Sequence, residues 1–274
     1  MPAVTVDRAA APTEVGAVAL VASDLDGTLL APGGTLSDRT RRVLDQMRDR
    51  GIDLVAVTGR PPRWVRELGL GSGLCICSNG ALVVDLDTGA VVTAHTLEPT
   101  VAAEIVTRLR TLHPTGLMAV EYGDGIGVEQ AWREQVPRSD AETVGPAEEL
   151  VVRPAAKILL RVPGTSGDAY IDAATDAVGD LGVVTASGTL QLVEVSAPGV
   201  DKASTLATLC AERGIPASRV VAFGDARNDL PLLAWAGTGV AMADAHPTVV
   251  AVADDVTGTC DTDGVAAWLE AHVL

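Results

Sequence analysis

The chain has 274 residues, with 20 Lys and Arg against 36 Asp and Glu, a formal net charge of −16. That length holds one large domain or two modest ones with proper cores. The composition, 47% hydrophobic and 20% charged, is globular rather than disordered or fibrous, and so negative a chain is a poor general binder of nucleic acid or anionic membrane.

Residues 1–15 lack the apolar segment of a signal peptide and read as a flexible tail. No apolar stretch reaches the roughly 20 residues a membrane span needs. The four cysteines make no disulfide framework in a chain this long, so a reducing cytoplasm is expected and Cys75 and Cys77 read as buried thiols. AVALVAS (17–23) is a continuous apolar run, the mark of a strand buried on both faces. Ser37 is placed to cap a helix running to about residue 50, with Gly51 just beyond it. IDLVAVT (52–58) is a second buried strand. Pro61 and Pro62 open a short helix carrying Trp64, Val65 and Leu68, and LCICS (74–78) is a third strand. Strands alternating with helices imply right-handed crossovers and a parallel sheet.

After Asn79 and Gly80 the pattern changes to hairpins. Residues 81–95 and 117–130 each read as two strands about a turn, followed by a strand over AKILLRV and two more around Ser187–Gly188. Helices are expected over 100–112 and 168–178. From Asp201 the first style returns, with a helix over 202–213, a strand ending at Asp225, a helix over 229–236, a strand over TGVAMA and two closing helices. The fold class is therefore α/β. A Rossmann-like parallel-sheet core is built from residues 16–84 and 189–274, and an α+β cap, residues 85–188, is inserted between them.

Polar clusters follow the apolar strands: Asp24-Leu25-Asp26-Gly27-Thr28, then Thr58-Gly59-Arg60, then Gly224-Asp225 with Asn228-Asp229, while Lys202 begins a helix. In an open α/β sheet these meet at the carboxyl edge, where ligands bind. Asp24 and Asp26, two apart on extended chain, are expected to point the same way. Several carboxylates brought together call for a cation, and hard oxygen donors favour Mg2+. Phosphoryl transfer fits this set. A carboxylate approaching a phosphate dianion at about 4 Å meets about 8 kcal/mol of repulsion at an effective dielectric of about 20. A divalent metal together with a lysine offsets it. Gly27 permits close backbone approach, and Thr28 and Thr58 offer hydroxyls to phosphate oxygens. A second Asp-x-Asp, Asp85-Leu86-Asp87, reads as a hairpin turn. The four histidines have no pairing spacing, and the four tryptophans are scattered packing residues.

DLDGTLL at 24–30, VTGR at 57–60, Lys202 and GDARNDLPLL at 224–233 resemble the four motifs of the haloacid-dehalogenase-like phosphohydrolases. SNGA at 78–81 and the stretches 193–206 and 239–269 resemble its Cof-type subgroup, which carries a large cap between the second and third motifs. The resemblance implies a Mg2+-dependent phosphatase acting on a small phosphorylated metabolite, as a monomer or homodimer without nucleic-acid or membrane partners. It makes Asp24 the nucleophile and Asp26 the general acid and base. Asp24, Asp225 and the backbone carbonyl of Asp26 become metal ligands, with Asp229 behind them. Thr58 and Lys202 hold the phosphoryl oxygens, and Thr28, Gly59, Arg60, Asn79 and Asn228 face the substrate. Arg227 and Asp244 depart from the usual pattern; Arg227 is expected either to bind an anionic substrate or to point to solvent. In the cap, Glu121, Tyr122 and Lys157 are candidate substrate-facing residues. Two readings stand beside hydrolysis: a phosphomutase of the same chemistry, and a non-catalytic sugar-phosphate sensor. A receiver domain uses similar residues but has no cap and is about half as long.

Overall fold

A computed structural model describes residues 17–136, 143–187 and 192–274; the expected N-terminal tail and Gly188 of the expected turn lie outside them. The first strands are β1 (Leu20–Ser23), β2 (Asp53–Val57), β3 (Leu74–Cys77), β4 (Leu82–Asp85) and β5 (Val91–Ala94). The middle of the chain supplies β6 (Leu117–Glu121), β7 (Ile126–Val128), β8 (Thr143–Val144), β9 (Lys157–Arg161), β10 (Val183–Ser187) and β11 (Leu192–Ser196). β12 (Val220–Gly224), β13 (Thr238–Ala241) and β14 (Asp255–Val256) follow.

Two sheets organise these strands. An eight-stranded sheet has the order β14-β13-β12-β1-β2-β3-β4-β5, and a six-stranded sheet the order β10-β11-β9-β6-β7-β8. In the first, the strands from β14 to β3 are parallel, and β4 runs against its two neighbours β3 and β5. β1 sits between β12 and β2 and is wholly buried, as its unbroken apolar run requires. The helix Asp38–Asp49 begins where expected, with the Ser37 side chain accepting from the Thr40 N–H. It covers one face of the sheet together with the helix Gly264–His272, against which Phe223 packs edge to face on Trp268 at 5.4 Å.

Sheet membership moves the expected limits of the cap. The hairpin over 81–95 forms, but β5 pairs with β4 and extends the core sheet. The strand β11, expected in the core beyond residue 189, pairs with β9 and β10 in the cap sheet. The cap sheet is mainly antiparallel. One face buries Met118, Val120, Ile158, Leu160, Val193 and Val195 under the helices Pro99–Leu112 and Asp168–Val178. The other face, with Leu117, Ala119 and Leu159, is apolar at one end. Two cap helices, Gln130–Gln135 and Ala147–Leu150, were not expected from the sequence. Trp64 is 41% exposed rather than packed, with the Arg63 guanidinium 5.2 Å from its ring. Among the described residues no helix is long and apolar enough to cross a membrane.

Phe223 is fully buried in the interior strand β12. Phe223→Ala is expected to cost about 3–5 kcal/mol, read as a lower urea midpoint at unchanged slope. A cost below about 1 kcal/mol would contradict this account of the core.

Candidate active site

The parallel strands β12, β1, β2 and β3 deliver their carboxyl ends to one edge. The ladder continues a residue past the strands: Asp24 N–H donates to Phe223 O at 3.0 Å, and Thr58 N–H to Ile76 O at 2.8 Å. Asp24 and Thr58 are thereby fixed by backbone pairing at the ends of β1 and β2, and Asp225 follows the end of β12. Lys202 arrives from the first turn of the helix Lys202–Glu212. There the Asp201 side chain accepts from Ser204 N–H while the Ser204 hydroxyl accepts from Asp201 N–H, a reciprocal cap that fixes where the helix starts.

The buried Lys202 ammonium donates to Asp24 Oδ1 and to Asp229 Oδ1, both at 2.6 Å. The other Asp229 oxygen accepts from the N–H groups of Asp225 at 3.1 Å and Ala226 at 3.0 Å. Asp225 accepts the Thr28 hydroxyl at 2.7 Å. Asp24, Asp225 and Asp229 each bring a carboxylate oxygen within 4.8 Å of the others. Gly27 makes that approach possible. Its φ is +83°, and a Cβ there would lie 2.6 Å from Asp225 Oδ2, so both conformation and space demand glycine.

When ionised, three carboxylates meet a single ammonium, an excess of two negative charges in a buried place. Burial pushes the Asp24 carboxyl above its usual range, against the attraction of Lys202 and with added repulsion from Asp229 and Asp225. Burial and then Asp229 push Asp225 up to about 6, with Asp244 adding to the push. Burial acts against the Lys202 charge, but Asp229 and Asp24 outweigh it and hold the ammonium above its ordinary value. The donors are hard carboxylate oxygens and the charge deficit is two. Both properties fit a divalent cation.

Several expected residues take other places. The chain turns after Ser23, so Asp26 does not point with Asp24. Its carboxylate is 57% exposed and is gripped by Arg60 Nε at 2.6 Å and Nη2 at 2.5 Å. As a side chain it is outside the acidic cluster, and Asp229, expected behind the metal ligands, is inside it. Arg60 thus faces Asp26. Thr28 gives its proton to Asp225. Thr58 accepts from Arg60 N–H at 3.1 Å, which leaves its own proton to donate. Of the two places expected for Arg227, the structure has the solvent-facing one: the side chain is exposed and pairs with the exposed Asp168 at 2.5 Å. Tyr122 packs within the cap, its hydroxyl on Leu150 O and its ring under Arg153. Cys75 and Cys77 are buried as expected, with sulfurs 3.7 Å apart.

Asn79 is brought to the site. It follows Ser78, and both have positive φ, 55° and 52°, a conformation that costs non-glycine residues and that clusters at functional sites. The Asn79 amide accepts from Asn228 Nδ2 at 3.1 Å and donates to Thr185 at 3.0 Å and to Glu194 at 2.5 Å. Lys157 of the cap donates to Gly59 O at 2.8 Å and lies 3.2 Å from Glu194 and 3.5 Å from Glu121. Arg63 reaches Glu121 at 3.1 Å. The sequence reading missed Glu194, Thr185 and Arg63. The one signal for Glu194 was a carboxylate in an otherwise buried-looking strand, LVEVS.

With this geometry in view, the comparisons with known proteins agree. The family model for haloacid dehalogenase-like hydrolases matches residues 21–269. The chain is 30% identical over 260 residues to the 5-amino-6-(5-phospho-D-ribitylamino)uracil phosphatase of Bacillus subtilis, covering 94% of this chain and 96% of that one. It is 28% identical over 270 residues to the pyridoxal phosphate phosphatase of Escherichia coli, covering 93% and 98%. Among solved structures, a Streptococcus mutans protein superposes with a TM-score of 0.83 at 22% identity, covering 94% of this chain and 99% of that one; at that identity the likeness concerns the fold. The chain belongs to the haloacid dehalogenase-like hydrolases.

The raised carboxyls give a signed expectation. Asp225 in the folded chain still holds its proton at a pH where the unfolded chain, with an ordinary value of 3.8, has lost it. Its contribution to stability is therefore full below about pH 4 and is lost as pH rises to about 6, in chelator-treated protein. Magnesium chloride is expected to raise the melting temperature more at about pH 8 than at about pH 4, since the ion needs ionised ligands. An equal or larger rise at the lower pH would contradict the charge count.

Proposed function

We propose that this hydrolase removes the phosphoryl group from small phosphorylated metabolites, with Asp24 as nucleophile and Mg2+ as cofactor. The observation that carries this reading is the buried Asp24 carboxylate at the end of the central strand, bonded to Lys202 and beside two further carboxylates. Asp24 and Asp225, with the Asp26 backbone carbonyl and Asp229 behind or beside them, would hold the ion. Its chemistry there is to neutralise charge, so that a carboxylate approaches a phosphate dianion.

The chain's own residues do the rest. Lys202 orients one Asp24 oxygen, leaving the other to attack phosphorus. The bond from phosphorus to the leaving oxygen breaks, and Asp26 supplies the proton that oxygen needs. Asp26 then takes a proton from water as the water attacks the phosphorus of phospho-Asp24, which releases inorganic phosphate and restores the carboxylate. Thr58, with its hydroxyl proton free to donate, and Lys202 hold the phosphoryl oxygens. The relatives named above support a small-metabolite substrate, a monoester of a polar alcohol.

Asp24→Asn is expected to lower kcat for 4-nitrophenyl phosphate by about four orders of magnitude while the thermal transition stays cooperative. Phosphate release within about ten-fold of wild type by the folded variant would remove the mechanism.

A further inference from the structure

The face of the cap sheet that turns toward the core is not uniformly apolar. Beyond Leu117, Ala119 and Leu159 it carries Glu121 on β6, Lys157 on β9, Glu194 on β11 and Thr185 on β10. The register places them as a stripe: Glu121 lies opposite Lys157, and Thr185 opposite Glu194. Glu121, Lys157 and Glu194 are each at least 95% buried. Three charges on a buried sheet face are a poor way to stabilise a cap, because desolvation consumes most of what pairing gains. Apolar residues of similar volume, as at the other end of the same face, would hold the sheet to the core better.

The stripe lies where the reaction needs recognition. In-line displacement puts the leaving oxygen on the side of phosphorus away from Asp24. Asp24 rises from the core sheet, so the leaving group points out of the core toward the cap. The stripe meets the core there, through Lys157 on Gly59 O and Glu194 on Asn79, next to Thr58 and Asn228. The Asn228 Oδ1 is buried without a donor among the described residues, an acceptor left for a ligand. In the ion pairs among the described residues, the Glu121 and Glu194 carboxylates stand against Lys157 and Arg63, and a second anion here would meet both carboxylates.

Resting on the proposed phosphatase reading, we propose that the stripe Glu121–Lys157–Glu194–Thr185, with Asn79, recognises the leaving group and determines specificity. It takes an uncharged alcohol rich in hydroxyl or N–H groups, which donates to the carboxylates and accepts from Lys157. It turns away a leaving group that carries a second phosphate, which would face Glu121 and Glu194.

The test compares kcat/KM for fructose 6-phosphate, fructose 1,6-bisphosphate, hexyl phosphate and 4-nitrophenyl phosphate. Wild type is expected to favour fructose 6-phosphate over hexyl phosphate and over the bisphosphate by about ten-fold or more each. Glu194→Gln, which makes the stripe more positive, is expected to raise the ratio of bisphosphate to monophosphate turnover. Lys157→Met, which makes it more negative, is expected to lower it. Opposite movements are a signature that a purely structural role would not produce. Wild-type indifference between fructose 6-phosphate and hexyl phosphate would overturn the inference, as would both variants moving the ratio the same way. Those results differ from failure of the underlying reading, in which wild type turns over none of the four esters, 4-nitrophenyl phosphate included.

Discussion

The buried Lys202 ammonium, shared between Asp24 and Asp229, is the interaction on which the site depends. It joins residues 178 apart in the chain. Each partner is held independently. Asp24 is fixed by the β1–β12 ladder, Asp229 by two backbone N–H groups, and Lys202 by the Asp201–Ser204 cap of its helix. One cation does not satisfy three carboxylates, and the excess charge marks the place as built for another positive partner rather than for stability. The raised Asp24 and Asp225 carboxyls are the same fact seen through protonation.

A second constraint acts across the seam between the sheets. Lys157 on the Gly59 carbonyl and Glu194 on Asn79 are buried polar ties between cap and phosphate-edge loops. Breaking one partner of such a tie is costly, because it strands the other without water. Held as a set, these ties join the cap to the loops at the phosphate edge. The strained Ser78–Asn79 turn belongs to the same device, since it aims an amide from the core sheet into the cap.

Much of this was legible in the sequence. Unbroken apolar runs such as 17–23 and 52–58 announce strands buried on both faces, and the polar clusters after them announce the carboxyl edge. Asp24 and Asp225 were found that way, and they meet beside Lys202, read as the start of a helix. What local pattern does not carry is pairing between distant strands. The hairpin over 81–95 reads the same whether it joins the core or the cap, and only its partner decides that β5 extends the core sheet. Likewise β11 looks like a core strand until it pairs with β9. The rule that residues two apart share a side holds for extended chain; it failed for Asp26 because β1 ends at Ser23 and the chain turns. Asp229 was expected behind the metal ligands, and its place inside the cluster comes from backbone donors that the sequence does not display.

The central claim is that Asp24, Asp225 and Asp229, over-supplied with negative charge around Lys202, form a site for one divalent ion. Diffraction from crystals grown with manganese, using its anomalous signal, locates such an ion directly. One peak bonded to carboxylate oxygens of Asp24 and Asp225, at about 2.1–2.2 Å for an ion of this size class, is the expected result. Crystals saturated with metal but without a peak between those two aspartates would contradict it.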